Sequence, residues 1–359
     1  MCTRVLWPNA NGSVIVGRNM DFRFDLLTNL WQHPRGVERA DGVHGNLAWR
    51  AKYGSVVATA FDLVATDGMN EAGFAGHILW LAESQYGTPD ASATQLSQAV
   101  WLQYYLDNFA TVAEAVAWTQ ESQVAISQLF DPTGHLVPTL HLALNDSTGD
   151  SAIIEYIDGT PTIYHSREYT VMTNSPAYDQ QLELVTAYQG LGGDDPLPGS
   201  TLAKDRFARA SYYIRNQAQP ETQVDAIAAM LSIIRNVAQP FRTPEPGTPD
   251  ASPTLWQVVL DLTNRRYVFE STTRPGIVWV NFNELDFAEG TPSLRLDLVS
   301  QLALEGGLAG NVSRQFTEVG ERTSNALATA LTAMEFIALK QTEFQDIKDT
   351  VQRLVGAKK

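Results

Sequence analysis

Met1-Cys2-Thr3-Arg4-Val5-Leu6-Trp7-Pro8-Asn9-Ala10-Asn11-Gly12-Ser13-Val14-Ile15-Val16-Gly17-Arg18-Asn19-Met20-Asp21 opens the chain, and the fold is read outward from it. Two apolar runs, residues 5–7 and 13–17, flank turn-forming residues 8–12, a pattern that predicts a β-hairpin. The second strand of such a hairpin returns Arg18 and Asp21 to the chain start. Cys2 is the only cysteine in 359 residues, so it has no partner for an internal disulfide and no companion for a thiolate metal site. If Met1 is removed, as a small second residue permits, Cys2 carries both a thiol and a free α-amine. A thiol of pKa ~8.5 is only a few per cent thiolate at neutral pH, whereas an α-amine titrating near ~7.7–8.0 can take its proton. A cation such as Arg18 stabilises thiolate, and a carboxylate such as Asp21 can hold an ammonium. The competing reading is a free cysteine that fills a core and an ordinary surface Arg/Asp pair.

Composition narrows the classes. With 44% hydrophobic residues the chain can bury a substantial core, and a formal charge of −15 with pI near 4.8 argues against a nucleic-acid partner. No run approaches the ~18–20 apolar residues of a membrane span, and no basic-then-apolar leader is present, so as written the protein is expected to start in the cytoplasm. It would be periplasmic if Met1 stands in place of a cleaved signal peptide. His33, His44, His77, His135, His141 and His165 show no metal-ligand spacing and read as structural, so neither a metal nor a cofactor is expected. No Gly-x-Ser-x-Gly occurs, which leaves a Ser/His/Asp hydrolase unsupported.

Along the chain, Phe22, Phe24 and Trp31 lie in a Gly- and Pro-containing stretch that predicts a loop with aromatic side chains. Strands are expected over 55–61 and 74–81, with a turn marked by Asp67-Gly68. Helical spacing predicts helices over 94–106 and 111–119, then a hairpin over 139–144 and 152–157 and a strand over 169–173 ending at Asn174. Further helices are expected over 176–188, 203–216 and 222–237, and paired strands over 254–262 and 265–271. The steps Leu327, Leu331, Met334 and Ile337 predict a terminal amphipathic helix over 321–354, packing on the domain or a neighbouring subunit. The expected organisation is one domain over 2–320 with a helical extension over 321–359. The alternation of strand-rich and helical stretches fits an α+β fold of sheets stacked between helical layers.

Met1-Cys2-Thr3-Arg4, Gly17-Arg18-Asn19-Met20-Asp21, Asp67-Gly68-Met69-Asn70-Glu71-Ala72-Gly73, Met172-Thr173-Asn174-Ser175-Pro176, Leu197-Pro198-Gly199 and Asp205-Arg206-Phe207 recur in the order of a known family. On these motifs the chain resembles the choloylglycine hydrolases, N-terminal-nucleophile amidases that include penicillin V acylases and conjugated bile-salt hydrolases. The resemblance implies a four-layer αββα sandwich of two antiparallel sheets between helical layers. It also implies Cys2 as nucleophile with its own amine as base, Arg18 beside the sulfur and Asp21 hydrogen-bonded to the Cys2 amine or thiol. Asn174 would donate its side-chain amide to the oxyanion with the Trp80 main chain as second donor, and Arg206 would complete the positive surroundings, with Arg209 as alternative. Phe22, Phe24, Trp31 and Trp80 would line the substrate cleft. Trp80 stands where bile-salt hydrolases carry asparagine, and a flat apolar wall there favours aromatic or long acyl groups over a steroid. The expected activity is therefore hydrolysis of a linear amide of the penicillin V type through a thioester, extending to N-acyl-homoserine lactones, with a conjugated bile-salt hydrolase as alternative. A non-catalytic binding protein is the reading if Met1 stays attached. The expected partner is a small-molecule amide, and relatives are commonly homotetramers.

Overall fold

The computed structural model describes residues 1–41, 46–88, 93–128, 138–243, 252–300 and 306–319. The expected helix over 321–354, His44 and His135 lie outside them. The opening hairpin is present as β1 (Cys2–Ala10) and β2 (Ser13–Asp21), turning on Asn11 and Gly12 with φ of 50° and 86°. Asn-Gly suits this turn because both central residues need positive φ. The strands run further than the apolar residues alone predict: Pro8 lies inside β1, where the register with β2 shifts between Trp7 and Ala10, a place where a missing N–H is tolerated. Cys2 stands opposite Met20 and Arg4 opposite Arg18.

The chain continues through β3 (Leu30–His33), β4 (Glu38–Ala40), β5 (Ala48–Arg50), β6 (Ser55–Ala60), β7 (Val64–Asn70), β8 (Ala75–Trp80) and β9 (Gln95–Ser97). Next come α1 (Trp101–Asn108), α2 (Val112–Ser122), β10 (Ala125–Ser127), β11 (Leu140–Asn145), β12 (Ser151–Ile157), β13 (Thr160–His165) and β14 (Val171–Met172). Helices α3 (Tyr178–Val185), α4 (Ala203–Arg215) and α5 (Gln223–Asn236) precede β15 (Thr254–Asp261), β16 (Arg266–Ser271), β17 (Gly276–Asn281), β18 (Leu294–Leu296), β19 (Gly310–Asn311) and β20 (Thr317–Glu318). One sheet is ordered β14-β1-β2-β15-β16-β17-β19 and the other β13-β12-β11-β8-β7-β6-β3-β18-β20, both antiparallel apart from the β17–β19 pair. Two short pairs, β4–β5 and β9–β10, stand outside them. Helices α3 to α5 cover the first sheet and α1 and α2 the second, giving the αββα sandwich.

Strand alternation explains the layers. Ala143 and Ile153 face the core between the sheets, whereas Leu142, Leu144, Ala152 and Ile154 pack with Trp101, Leu102 and Tyr105 of α1. Capping boxes start α2 (Thr111 with Glu114) and α5 (Thr222 with Asp225), each satisfying helix-end N–H groups. Asp67-Gly68 is not a turn but the middle of β7, and the chain reverses instead at Phe61 and Asp62, at φ of 56° and 58°. The glycine serves packing: a Cβ on Gly68 would stand 2.7 Å from Leu106 Cδ1 and 2.8 Å from Val57 Cγ1. Residues 95–97 form β9 rather than the start of α1, and β13, a half-exposed edge strand containing Pro161, was not expected. No helix among the described residues is long and apolar enough to cross a membrane.

Candidate active site

Cys2 begins β1, and its side chain falls on the inter-sheet face with those of Arg4, Arg18 and Met20 because the register pairs these positions. The cysteine is 4% exposed. Arg18 Nη2 lies 3.7 Å from Cys2 Sγ and donates to Ile78 O at 2.8 Å, and the guanidinium carbon sits 4.6 Å from the centroid of the Trp256 ring. The β7–β8 pairing ends at Asp67–His77, so the next backbone positions of β8 lack a strand neighbour on that side. Their carbonyls take side-chain donors instead: Ile78 O from Arg18 and Trp80 O from Asn174 Nδ2 at 2.7 Å. A strand residue's N–H and C=O share a side, which puts the Trp80 N–H on this same edge.

The opposite side of Cys2 is set by α4. Arg206, fully buried, donates from Nη1 to Cys2 O and Thr3 Oγ1, both at 2.5 Å, and from Nη2 to Asn174 Oδ1 at 2.8 Å. Burial pushes its pKa below the ordinary arginine value, while Asp21 and Cys2 act the other way. Asn174 Oδ1 also accepts from Cys2 N at 2.7 Å, so the amide is oriented with its oxygen toward the chain start and its nitrogen toward Trp80. His141 fixes the segment before it: Nε2 contacts Thr173 O at 3.0 Å and Nδ1 contacts Glu155 Oε1 at 2.9 Å. The Asp21 carboxylate accepts from Thr254 Oγ1 at 2.6 Å and Gln239 Nε2 at 2.8 Å and lies 3.7 Å from Arg206 Nη1. It is thus brought to Arg206 rather than hydrogen-bonded to the Cys2 sulfur or nitrogen, and the Asp21 main chain pairs with Met1 instead, N to O at 2.9 Å and O to N at 2.7 Å. Arg209 turns away, donating to Pro198 O and Ser200 O.

Met1 and Cys2 help line an almost wholly apolar cavity whose wall also includes Met20, Phe22, Phe24, Leu26, Phe61, Val64, Trp80 and Leu140. Phe22 and Phe24 meet edge to face at 4.8 Å. Trp31 is not brought to it: the ring lies on β3 stacked on His33, with its N–H bound to Asp62 Oδ1 at 2.8 Å. Among the described residues no group of three or more His, Cys, Asp or Glu side chains is placed to hold a metal ion.

Sequence reasoning missed the groups behind Arg18. Asp67, fully buried, lies 3.9 Å from Arg18 Nε, accepts from Tyr267 Oη at 2.6 Å and contacts His77 Nδ1 at 2.6 Å. Burial pushes the Asp67 pKa up, but His77, Arg18 and the Tyr267 hydroxyl outweigh it, and the carboxyl lies below its usual range. Burial holds the His77 imidazole below its usual value against the pull of Asp67, with Arg18 and Arg4 adding to the depression. No short-range spacing signals this cluster, whose members sit on β2, β7, β8 and β16.

Residues 2–297 match the model of the linear amide C–N hydrolases, choloylglycine hydrolase family. Penicillin V acylase of Pectobacterium atrosepticum is 43% identical over 83% of this chain and 85% of its own length. A bile salt hydrolase/transferase of Bifidobacterium longum is 23% identical over 66% of this chain and 81% of its own. Among solved structures, penicillin V acylase from Agrobacterium tumefaciens superposes with TM-score 0.80 at 42% identity, covering 89% of this chain and 98% of that one. A mutant conjugated bile acid hydrolase from Clostridium perfringens shares the fold with TM-score 0.70 at 21% identity, covering 82% and 96%.

Proposed function

The chain belongs to the choloylglycine hydrolase family of linear amide C–N hydrolases, and from that premise we propose that it is an N-terminal-cysteine acylase of the penicillin V type, cleaving an amide between an aromatic or unbranched acyl group and an amine. The single observation that carries this reading is the position of Cys2, with Sγ 3.7 Å from a buried guanidinium and the residue lining an apolar, phenylalanine-rich cavity. With Met1 removed, the Cys2 nitrogen becomes an amine that still donates to Asn174 Oδ1 and keeps a lone pair for the thiol proton. The thiolate attacks the amide carbon, and the carbonyl oxygen becomes an oxyanion. The second Asn174 amide hydrogen and the Trp80 N–H are its donors, the kind of preorganised pair whose loss costs about 10²–10³ in turnover per donor. As the C–N bond breaks, the ammonium returns its proton to the leaving nitrogen and an acyl thioester remains on Sγ. Water, deprotonated by the same amine, then releases the carboxylic acid and restores the thiol.

The cavity lining favours a flat ring or a single alkyl chain. Phenoxyacetyl amides such as penicillin V come first, N-acyl-homoserine lactones second, and steroid conjugates last because Trp80 narrows the wall. Assembly as a homo-oligomer belongs to the same reading. Purified, Met1-free protein should release phenoxyacetate from penicillin V, and Cys2→Ala should abolish it. Retention of the rate by Cys2→Ala would refute the nucleophile.

A further inference from the structure

The geometry points to Asp67 as the positioning residue for Arg18, holding the guanidinium against the Cys2 sulfur through a buried ion pair. This rests on the reading of Cys2 as nucleophile. Arg18 has few other anchors: one backbone oxygen, Ile78 O, the sulfurs of Cys2 and Met20, and the face of Trp256. Its Nε and Nη1 have no hydrogen-bond partner, yet the side chain is fully buried. Among the described residues Asp67 is the one carboxylate within ion-pair reach of it, at 3.9 Å, a length at which direction comes from charge rather than from a hydrogen bond. A guanidinium so placed stays only if the carboxylate is itself immobile. Tyr267, reaching across from the other sheet, fixes Asp67 Oδ1, and His77 fixes Oδ2, so the carboxylate cannot rotate away. His77, neutral in this buried setting, donates its Nδ1–H and leaves the negative charge of Asp67 to Arg18.

The other charged and titratable groups around this point are Arg4 on β1, His77 on β8 and Tyr267 on β16, with Arg206 and Asp21 on the far side of Cys2. They allow two opposite outcomes to be separated. If Arg18 were held rigidly by its other contacts, removing the Asp67 charge would leave an unbalanced cation and make the thiol easier to ionise. If Asp67 positions Arg18, its loss lets the guanidinium leave the sulfur and makes the thiol harder to ionise.

The test is the pH dependence of Cys2 alkylation by iodoacetamide in Met1-free wild type, Asp67→Asn and Tyr267→Phe, alongside penicillin V kinetics. Asp67→Asn is expected to raise the alkylation midpoint by about one pH unit, a tenfold loss of thiolate at neutral pH, with kcat reduced similarly and KM within about twofold. Tyr267→Phe should shift the midpoint the same way by less. A folded Asp67→Asn whose midpoint is unchanged or lowered overturns the proposal. Should that variant fail to fold, an unshifted Tyr267→Phe does so. Wild-type protein that never hydrolyses an amide would instead sink the nucleophile reading, while the alkylation midpoints still decide the role of Asp67.

Discussion

Replacing Arg206 by Gln tests the other side of the site, because this one side chain ties the chain start to Asn174 and Asp21. Its guanidinium serves Cys2 O and Thr3 Oγ1 at 2.5 Å, Asn174 Oδ1 at 2.8 Å and Thr201 O at 3.0 Å, and is 3.7 Å from Asp21. A glutamine amide carries two N–H donors and can restore at most two of these contacts. The larger loss is electrostatic, since Asp21 is fully buried and would keep only Thr254 and Gln239. Breaking a buried pair by removing one partner costs about 3–5 kcal/mol, and those two remaining donors place the expectation near the lower end, about 3 kcal/mol. Against a typical stability of about 5–15 kcal/mol the variant should still fold. Turnover should fall about 10²–10³-fold, because Asn174 Oδ1 loses one of its two donors and the amide its fixed orientation. Urea unfolding and initial rates on penicillin V measure the two effects separately. Asp21→Asn made alone and in the Arg206→Gln background completes a double-mutant cycle. The double variant should lose about 1–3 kcal/mol less stability than the sum of the singles. Additivity within about 0.5 kcal/mol would refute the claim that the pair acts as a unit.

Three further outcomes follow from the same contacts. The folded pKa of His77 lies below its ordinary value, so the unfolded chain takes up a proton as pH falls through about 6.5 while the folded chain does not. The stability tied to that histidine is therefore complete above about pH 6.5 and is lost on acidification by up to about 1.4 kcal/mol per pH unit. Urea midpoints of wild type should thus fall more steeply from pH 7 to 5 than those of His77→Gln, and parallel slopes would contradict the assignment. Gly17→Ala should destabilise by about 1–3 kcal/mol in urea unfolding, because the new Cβ would stand 2.6 Å from Ile234 Cγ2 and 2.7 Å from Met230 Sδ, forcing α5 off the hairpin. Trp80→Ala should lower kcat/KM for penicillin V by about 10–200-fold through lost apolar contact, with a smaller loss on bulkier acyl amides, and an equal loss on both would remove Trp80 from the substrate wall.

Much of this site is legible in the first strand pair. Two apolar runs joined by the turn residues 8–12 predict a hairpin, and the register of that hairpin puts Cys2 and Arg18 on one face. What fails is the reading of residues whose meaning lies in their neighbours. Asp67-Gly68 carries a strong turn signal, yet its glycine makes room for Leu106 and its aspartate is buried under Tyr267, 200 residues away in sequence. Trp31 has the composition of a cleft residue, but strand β3 and Asp62 hold its ring elsewhere. The contacts that orient the Asn174 amide are not legible locally either, since they are donors from β1 and α4 and an acceptor at the end of β8. Helices with capping residues, such as α5 behind Thr222, were read nearly to their ends because their signals are local.

In the proposed reaction, the two ion pairs would let a buried thiol act without a base from another residue. Arg18 with Asp67 approaches Cys2 from between the sheets, and Arg206 with Asp21 approaches from the helix side, so that each guanidinium beside the cysteine has its own carboxylate. In the proposed reaction the proton travels from sulfur to nitrogen within one residue, which leaves the total charge unchanged and keeps the separated charges only a few ångströms apart. Short separation matters here because attraction between opposite charges grows as the surroundings become less polarisable. A base carried on another strand would have to be desolvated and positioned as well. The acidic exterior, at −15 overall, adds little at this depth, since surface charges more than about 8 Å away are largely screened at physiological ionic strength. The field that a Cys2 thiolate would feel in that reaction is therefore set chiefly by the nearby buried pairs Arg18–Asp67 and Arg206–Asp21 and by the hairpin register that places Cys2 beside Arg18.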